Sequence, residues 1–398
     1  MKNAAPMHWK KIKVKYLVSM QSGNAIESEA IAPIGEYPVY GGNGLRGYTN
    51  EFTHEGERIL IGRQGALCGN VNYASGKFWA TEHAIVATPR AEFITHWLGE
   101  TLSAMNLNQY SQSAAQPGIA AEVIANLEIA VPPITEQRFI ALKLTKETDR
   151  VDLLIDEKKQ LIVLLEEKRR AMIACAIARG LNRDAHRRDS GITWLGVIPE
   201  HWKIERAKWL FVERDTRSDT GDEELLSVSH LTGVTTRAEK KVNMFMAEKM
   251  EGYKRCHTGD LVINTLWAWM GAMGVARQPG IVSPAYNVYQ PVPELDPDYV
   301  DLLVRTPRFA EEITRYSKGV WSSRMRLYPE GLYEAWLPVP PKDEQQAIAA
   351  HIQTATKKID DFAKATERTI ELLQERRSAL ILAAATGQLD LDTQDANK

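Results

Sequence analysis

Metal and disulfide chemistry have little to work with in this chain of 398 residues. Its three cysteines, Cys68, Cys175 and Cys256, lie far apart, no CxxC pair occurs, and no histidines stand at ligand spacing. A disulfide framework and the common zinc sites are therefore excluded, no metal is expected, and free thiols in a reducing compartment are. Cys256 and His257 are neighbours, but two residues alone do not hold a metal. Long apolar runs are also missing. The strongest, at 379–385, falls far short of the roughly 20 residues of a membrane-spanning helix. Positions 1–13 carry lysines but no apolar stretch, so neither a secretory signal nor a membrane partner is expected, and a cytoplasmic location is.

Catalytic motifs are absent too. No GxxxxGK[ST] occurs, so no P-loop for ATP is present. Both Pro-Pro pairs follow valine, so the Asp/Asn-Pro-Pro-aromatic pattern of an amino-methyltransferase is missing. Asp156-Glu157-Lys158 resembles the tail of a nuclease carboxylate cluster, but it falls inside a helical pattern and reads as a solvated charged turn. No catalytic residue is expected in this chain, and no cofactor bound by it. A basic excess is lacking as well, since the net charge is −2. That argues against a protein gripping DNA unaided, and is compatible with one that reads bases while partners supply much of the phosphate contact.

What the sequence does have is a duplication. Val131-Pro132-Pro133-Ile134-Thr135-Glu136-Gln137 recurs as Val339-Pro340-Pro341-Lys342-Asp343-Glu344-Gln345, an offset of 339 − 131 = 208. The alignment continues without a gap to Leu181 and Leu389. Nearer the front of each half, His8-Trp9-Lys10 before Lys15-Tyr16-Leu17 recurs as His201-Trp202-Lys203 before Lys208-Trp209-Leu210. That offset is 201 − 8 = 193, so the second half gains residues within its variable middle. The order is variable block, shared block, variable block, shared block.

The shared blocks read as helices. Pro132-Pro133 and Pro340-Pro341 stop what precedes, and Thr135 or Asp343 is the expected N-cap. No glycine or proline then interrupts 136–179 or 344–386. Apolar residues recur at spacings of three and four: Val151, Ile155, Ile162, Leu165 and Met172, and again Ile359, Ala363, Ile370, Leu373 and Leu380. Lys158/Thr366 and Arg169/Arg377 are the polar members of that register. Two matched seams in one chain favour an intramolecular pair over a homodimeric coiled coil or a plain hairpin. Each helix of roughly 45 residues would span roughly 65 Å. Antiparallel packing of the two copies would give an internal pseudo-two-fold.

The variable blocks mix strands, such as 58–61 and 261–263, with helices at 93–105 and 297–316. Several segments suit DNA contact. Tyr40, Asn43 and Arg46 belong to the glycine-rich run Tyr40-Gly41-Gly42-Asn43-Gly44-Leu45-Arg46, and Arg63 and Gln64 sit between glycines directly after a strand. Glycine permits close backbone approach, while arginine, asparagine and glutamine pair with guanine or adenine edges. In the second block Asn264 and Trp267 follow a strand, and Lys318, Trp321, Arg324 and Arg326 combine cations with an aromatic. If extended, Trp267 and Trp269 share one strand face, and core packing is expected of at least one. Ordinary hairpin turns with polar surfaces are an equally good reading of any one of these positions.

Together, the run Ser190-Gly191-Ile192-Thr193-Trp194-Leu195-Gly196-Val197-Ile198-Pro199-Glu200-His201-Trp202, the two Val-Pro-Pro-x-x-Glu-Gln helix starts and the Tyr-Gly-Gly-Asn-Gly loop resemble the specificity subunit of type I restriction-modification systems. Segments 264–271 and 319–326 resemble that family's recognition domains, and the likeness covers essentially the whole chain, with both halves present. The resemblance implies an α+β chain of two mixed target-recognition domains joined by two long antiparallel coiled-coil helices. Its boundaries are a first recognition domain at 1–133, a central helical spacer at 134–181, a linker at 182–190, a second recognition domain at 191–338, a C-terminal spacer at 339–390 and a tail at 391–398. It also implies double-stranded DNA as the target, and two methyltransferase subunits and restriction/translocase subunits as partners. S-adenosylmethionine, ATP and Mg would all reside on those partners. An autonomous DNA-binding protein and a coiled-coil protein scaffold are the other readings. Tight DNA binding by the chain alone would favour the first, and no DNA binding beside a methyltransferase the second.

Domains of about 130 residues have a radius of gyration of roughly 14 Å, so neighbours would sit roughly 35 Å apart, about one turn of duplex. The expected target is split, asymmetric because the variable blocks differ, and spaced by the helices. Lengthening both helices by one turn should widen the unread gap. Methylation mapping of such an insertion mutant that found unchanged spacing would refute this.

Overall fold

The computed structural model describes residues 5–111, 117–239, 250–319 and 325–389. The chain divides into two compact units, Met1–Gln160 with Thr366–Lys398, and Leu161–Ala365. Among the described residues no helix is long and apolar enough to cross a membrane.

In the first unit, strands β1 (Lys10–Lys13), β2 (Val18–Ser22), β3 (Tyr37–Gly41), β4 (Gly44–Thr49), β5 (His54–Glu55), β6 (Arg58–Gly62), β7 (Val71–Ala74), β8 (Lys77–Ala80) and β9 (Ala84–Pro89) precede helices α1 (Thr95–Ala104) and α2 (Ala121–Ala125). Strand β10 (Glu128–Val131) then leads into the long helix α3 (Ile134–Arg179). One four-stranded sheet has the order β2-β9-β6-β7, another β4-β3-β8-β5, and β1 pairs antiparallel with β10. The apolar run in β6 is continuous because both its faces are covered. Ile59 and Ile61 join the main core with Trp97, Leu98 and Ile140, while Leu60 turns the other way onto Phe78, Ala80 and Val86.

The second unit repeats this frame. It contains β11 (Arg187–Asp189), β12 (Val197–Pro199), β13 (Lys203–Arg206), α4 (Ala207–Leu210), β14 (Phe211–Glu213), β15 (Leu226–Ser229), β16 (Gly233–Thr236), β17 (Lys254–Cys256), β18 (Leu261–Asn264), β19 (Met273–Val275), β20 (Gly280–Val282) and β21 (Tyr286–Pro291). Helices α5 (Pro297–Val304), α6 (Pro307–Tyr316) and α7 (Pro329–Glu334), strand β22 (Trp336–Val339) and the long helix α8 (Lys342–Ala385) follow. The sheet order β14-β21-β18-β19 matches β2-β9-β6-β7, and β13 pairs with β22 as β1 does with β10. Strand β18 is again buried on both faces, Leu261 and Ile263 in the main core and Val262 in a second one.

Three sequence expectations change in detail. The helix read over 297–316 is two helices, because Thr306 caps α6 by accepting the Phe309 N–H ahead of Pro307. The linker 182–190 carries β11, paired with β12. The long helices begin at Ile134 and Lys342, so Thr135 and Asp343 lie inside the first turn rather than at the N-cap. Instead the carbonyls of Pro133 and Pro341 take the first helical bonds, from the N–H groups of Gln137 and Gln345.

The repeated motifs meet at these helix starts. In the first unit the Trp9 indole donates to Glu136 Oε1 at 3.0 Å, and His8 Nε2 lies 3.0 Å from Glu136 Oε2. In the second, Trp202 donates to Glu344 Oε2 at 3.0 Å and His201 Nε2 lies 2.8 Å from that oxygen. The next residue anchors the domain to the helix. Buried Gln137 accepts from the Ile94 N–H and donates to the Pro132 carbonyl, and buried Gln345 accepts from Asp296 and donates to Pro340 and Glu294. The opposite helix ends against the same tryptophan. Gly387 of the first unit and Gly180 of the second both hold a positive φ, and a Cβ on either would fall 3.0 or 3.1 Å from Trp9 or Trp202.

All ten seam positions are buried or half-buried. In the first unit Val151 and Ile155 belong to the α3 segment and Ile370, Leu373 and Leu380 to the α8 segment, with Arg377 Nε 2.9 Å from Asp152 Oδ1. In the second, Ile162, Leu165 and Met172 belong to α3 and Ile359 and Ala363 to α8, with Arg169 3.1 Å from Asp360. The two ion pairs use the same two repeat positions with the roles of the copies exchanged. Within each unit the helices run antiparallel: Ile140 and Leu144 share a core with Ile381 and Ala384, beyond the Asp152–Arg377 pair. Such half-exposed pairs contribute about 0.2–1 kcal/mol each, so burial of the seam dominates and the pairs fix the register.

Replacing Glu136 by alanine strands the buried Trp9 indole N–H and should destabilise the first unit by about 1–3 kcal/mol. Glu136→Gln, which keeps an acceptor, should recover most of that loss in urea melts of the full chain.

Candidate nucleic-acid interface

A cleft of about 680 Å³ in the first unit is lined by Gly42, Asn43, Arg46, Gln64, Gly65, His83, Pro117 and Gly118, with Leu45 and Leu67 exposed along its rim. Three loops build it. The β3–β4 hairpin turns at Gly42-Asn43, with Gly41 opposite Gly44. The segment after β6 carries Arg63 and Gln64, and the turn between β8 and β9 carries Thr81, Glu82 and His83. Backbone bonds weld the loops together. The Arg63 N–H donates to the His83 carbonyl at 2.8 Å, the Thr81 N–H to the Tyr40 carbonyl at 2.9 Å, and the Ile119 N–H to the Arg63 carbonyl at 3.0 Å. Gly62 must be glycine here, since a Cβ would lie 2.4 Å from the Gly42 carbonyl oxygen and 2.7 Å from that of Leu67.

Of the residues singled out in the first block, Asn43, Arg46 and Gln64 come together in this cleft. Asn43 accepts from Asn70 Nδ2 at 3.2 Å, and Gln64 meets His83. Arg46 is exposed, and among the described residues no hydrogen bond or ion pair engages its guanidinium. Arg63 is half-buried and donates to the Glu82 carbonyl at 3.4 Å, so its cation is turned to the backbone. Tyr40 faces elsewhere, edge-on to Phe78 at 5.8 Å, in a separate pocket with Tyr73 and His96. Sequence reasoning missed His83, Leu45 and Leu67. Of these only His83 carried a signal, a polar Thr-Glu-His turn between two apolar strands.

The second unit places its counterparts in the equivalent loop. Leu327 N–H donates to the Thr265 carbonyl at 3.0 Å, as Ile119 does to Arg63 at the same repeat positions, and brings the bridge between Lys318 and Arg326 beside the end of β18. Lys318 and Arg326 pair through both backbone bonds, at 2.9 Å each, and their side chains are exposed. Trp267 is half exposed on a short 3-10 turn at Ala268–Met270, so it does not share an extended strand face with Trp269, whose indole donates to the Leu266 carbonyl. The turn forms because the Trp267 N–H is drawn back to the Asn264 carbonyl at 3.0 Å. Asn264 itself is buried. It donates to the Tyr286 hydroxyl, which burial pushes above its ordinary pKa, and accepts from the Leu266 N–H, so it shapes the loop. Trp321 and Arg324 lie outside the described residues.

Among the described residues no three metal-ligating side chains cluster. Cys256 is buried in the β17–β20 pair, its thiol pushed up to about 11 by burial and by Asp260, and His257 donates its backbone N–H to Asp260. The interface is thus a frame of buried strands ending in loops that offer amide, guanidinium, ammonium, aromatic and aliphatic groups. That mixture suits base edges and phosphates.

Residues 6–163 match the family described as the type I restriction modification DNA specificity domain. The specificity subunit of the Escherichia coli type I restriction enzyme EcoprrI is 46% identical over 134 residues, 33% of each chain, so the match spans a third of that relative's length. The EcoDI specificity subunit of Escherichia coli is 18% identical over 407 residues, covering 96% of this chain and 89% of that one. A chain from a structure describing complex assembly and conformational transition of the type I restriction-modification system aligns with a TM-score of 0.68 at 14% identity, covering 97% of this chain and 99% of the other, a likeness of fold.

Gly62→Ala should push the β3–β4 turn off the β6 loop and lower the melting temperature, with a cost of about 1–3 kcal/mol in stability. An unchanged melt would show that the loop approach is softer than its backbone contacts require.

Proposed function

We propose that this chain, whose residues 6–163 match the type I restriction modification DNA specificity domain, reads DNA sequence for a multisubunit restriction-modification enzyme. The observation that carries the reading is the repeated loop frame. Each unit ends a doubly buried strand, β6 or β18, in a loop of exposed polar and aromatic groups, and the frame is the same while the loop residues differ. Each unit would read one half of a split, asymmetric double-stranded target, because the chemistry of the two loops differs.

In the first half-site Asn43, Arg46 and Gln64 would meet base edges, and Arg63 would support the loop. In the second, Trp267, Lys318 and Arg326 would make the contacts, together with Trp321 and Arg324 outside the described residues, while Asn264 would hold the loop. The chain would supply no catalysis itself. Methyltransferase subunits would bring S-adenosylmethionine, and restriction/translocase subunits ATP and Mg. The near-neutral charge fits this division of labour, since partners would provide much of the phosphate contact. Such an assembly would work in the cytoplasm, where its DNA lies.

Single-molecule methylation mapping of genomic DNA from cells carrying this chain and a matching methyltransferase should reveal one split motif with adenine methylated in both halves, lost when the chain is deleted. Arg46→Ala should weaken that methylation without lowering the melting temperature, because among the described residues no hydrogen bond or ion pair engages the guanidinium. A methylation pattern indifferent to the chain would exclude the proposal.

A further inference from the structure

We propose that Leu45 and Leu67 form an apolar contact in the first-unit cleft that recognises the C5-methyl group of a thymine. The inference rests on the DNA-reading function above and assigns the chemistry of one base within it.

Of the leucines between residues 5 and 131, only Leu45 and Leu67 are exposed, and both line this cleft. Leu45 is 53% and Leu67 45% exposed, while Leu60, Leu98, Leu102 and Leu107 are buried in the cores. Single apolar side chains scattered over a surface are ordinary, but two from different loops lining one cleft form a patch.

The backbone holds both leucines out. The loop carrying Leu67 is closed on itself: Cys68 N–H donates to the Gly65 carbonyl at 3.0 Å, Gly69 N–H to the Gly62 carbonyl at 2.7 Å, and Asn70 N–H to the Leu67 carbonyl at 3.1 Å. Cys68, the next residue, is buried and its thiol donates to the Arg63 carbonyl at 3.4 Å, which anchors the loop beside the leucine it exposes. Leu45 stands in the β3–β4 ladder opposite Tyr40. Gly62 brings the two loops together, packed against the carbonyls of Gly42 and Leu67. Groups fixed in advance need little further ordering when a ligand arrives.

An apolar group in a DNA-reading cleft has one match among the base edges. The major-groove edges offer donors and acceptors at every base pair, and the thymine methyl is their apolar group. Asn43, Arg46 and Gln64 line the same cleft and suit the polar edges, so the leucines add what those three lack. The second unit repeats the device with other side chains. Its loop after β18 closes by Met270 N–H on the Trp267 carbonyl at 3.0 Å, as Cys68 closes on Gly65, and leaves Leu266 and Trp267 exposed. An exposed apolar group on that loop in both halves points to the reading surface rather than to an accident of one turn.

The test uses the full chain assembled with its methyltransferase subunits and a duplex carrying the split motif found by methylation mapping. Each thymine of the motif is replaced in turn by deoxyuridine, which lacks only the methyl group. At one thymine of one half-site the swap should weaken binding about fourfold, the value of burying one methyl group. The double variant Leu45→Ala, Leu67→Ala should bind the thymine duplex more weakly and be indifferent to the swap at that position. Both side chains are exposed, so the variant should melt as the wild type does, and the half-site read by the second unit should keep its wild-type response to each swap. Indifference of the wild-type assembly to every swap, as a wedge between base pairs would give, would refute the proposal. So would a loss at each sensitive thymine that the double variant retains in full. Absence of any split motif with the wild-type assembly would instead refute the DNA-reading function.

Discussion

The contact on which both units depend is an indole N–H held by a carboxylate at the start of a long helix: Trp9 by Glu136 and Trp202 by Glu344. The indoles are buried, so the carboxylates satisfy a donor that water cannot reach, and losing one leaves that donor unpaired. Around this contact everything at the base of a unit is arranged. The neighbouring glutamine stitches the helix start to the domain, a pair of terminal strands brackets it, and the other long helix ends in a glycine against the indole. The loop that follows β6 or β18 can then vary freely, because the sheet that carries it is anchored elsewhere.

That division explains what the sequence allowed to be read. The helices, their seam and the duplication were legible because periodicity and repetition record burial directly, and the ten seam residues are buried or half-buried. The doubly buried strands were legible as apolar runs. The cleft was legible in part: Asn43, Arg46 and Gln64 could be named from glycine-rich loops, but not their meeting, which depends on backbone bonds between loops distant in sequence. His83 was missed for that reason, since a lone histidine in a turn says nothing about the amide 19 residues earlier. Asn264 shows the converse error available to sequence reasoning, a residue type suited to adenine that is buried and bonded to Tyr286. The caps at Pro133 and Pro341 were hidden because the preference for threonine or aspartate at a helix start yields to an anchored Gln side chain.

The two units also show how one frame accommodates different chemistry. Arg63 and Thr265 stand at the same structural place, each accepting a bond from the residue that opens the way to the next short helix, Ile119 or Leu327. Around them the first unit presents amides and an exposed guanidinium, the second an exposed tryptophan and two cations. Under the proposed function, changing what is read would require changing loops and not the buried strands, whose apolar residues are constrained on both faces.

The first unit is not a continuous stretch of chain: it joins residues 1–160, with the front of α3, to residues 366–398, with the rear of α8, while the second is the unbroken run between them. Seen from the ribosome, this makes the first-synthesised domain the last to be finished. Residues 1–160 emerge without Ile381, Ala384 and Gly387, which complete the core around Trp9 and Ile140, and must wait for the final helix. At synthesis rates of about 5–20 residues per second, the roughly 200 intervening residues leave that core open for about 10–40 seconds. The order of the chain thus imposes a period of obligatory incompleteness on the nascent protein, ended only when its last helix arrives.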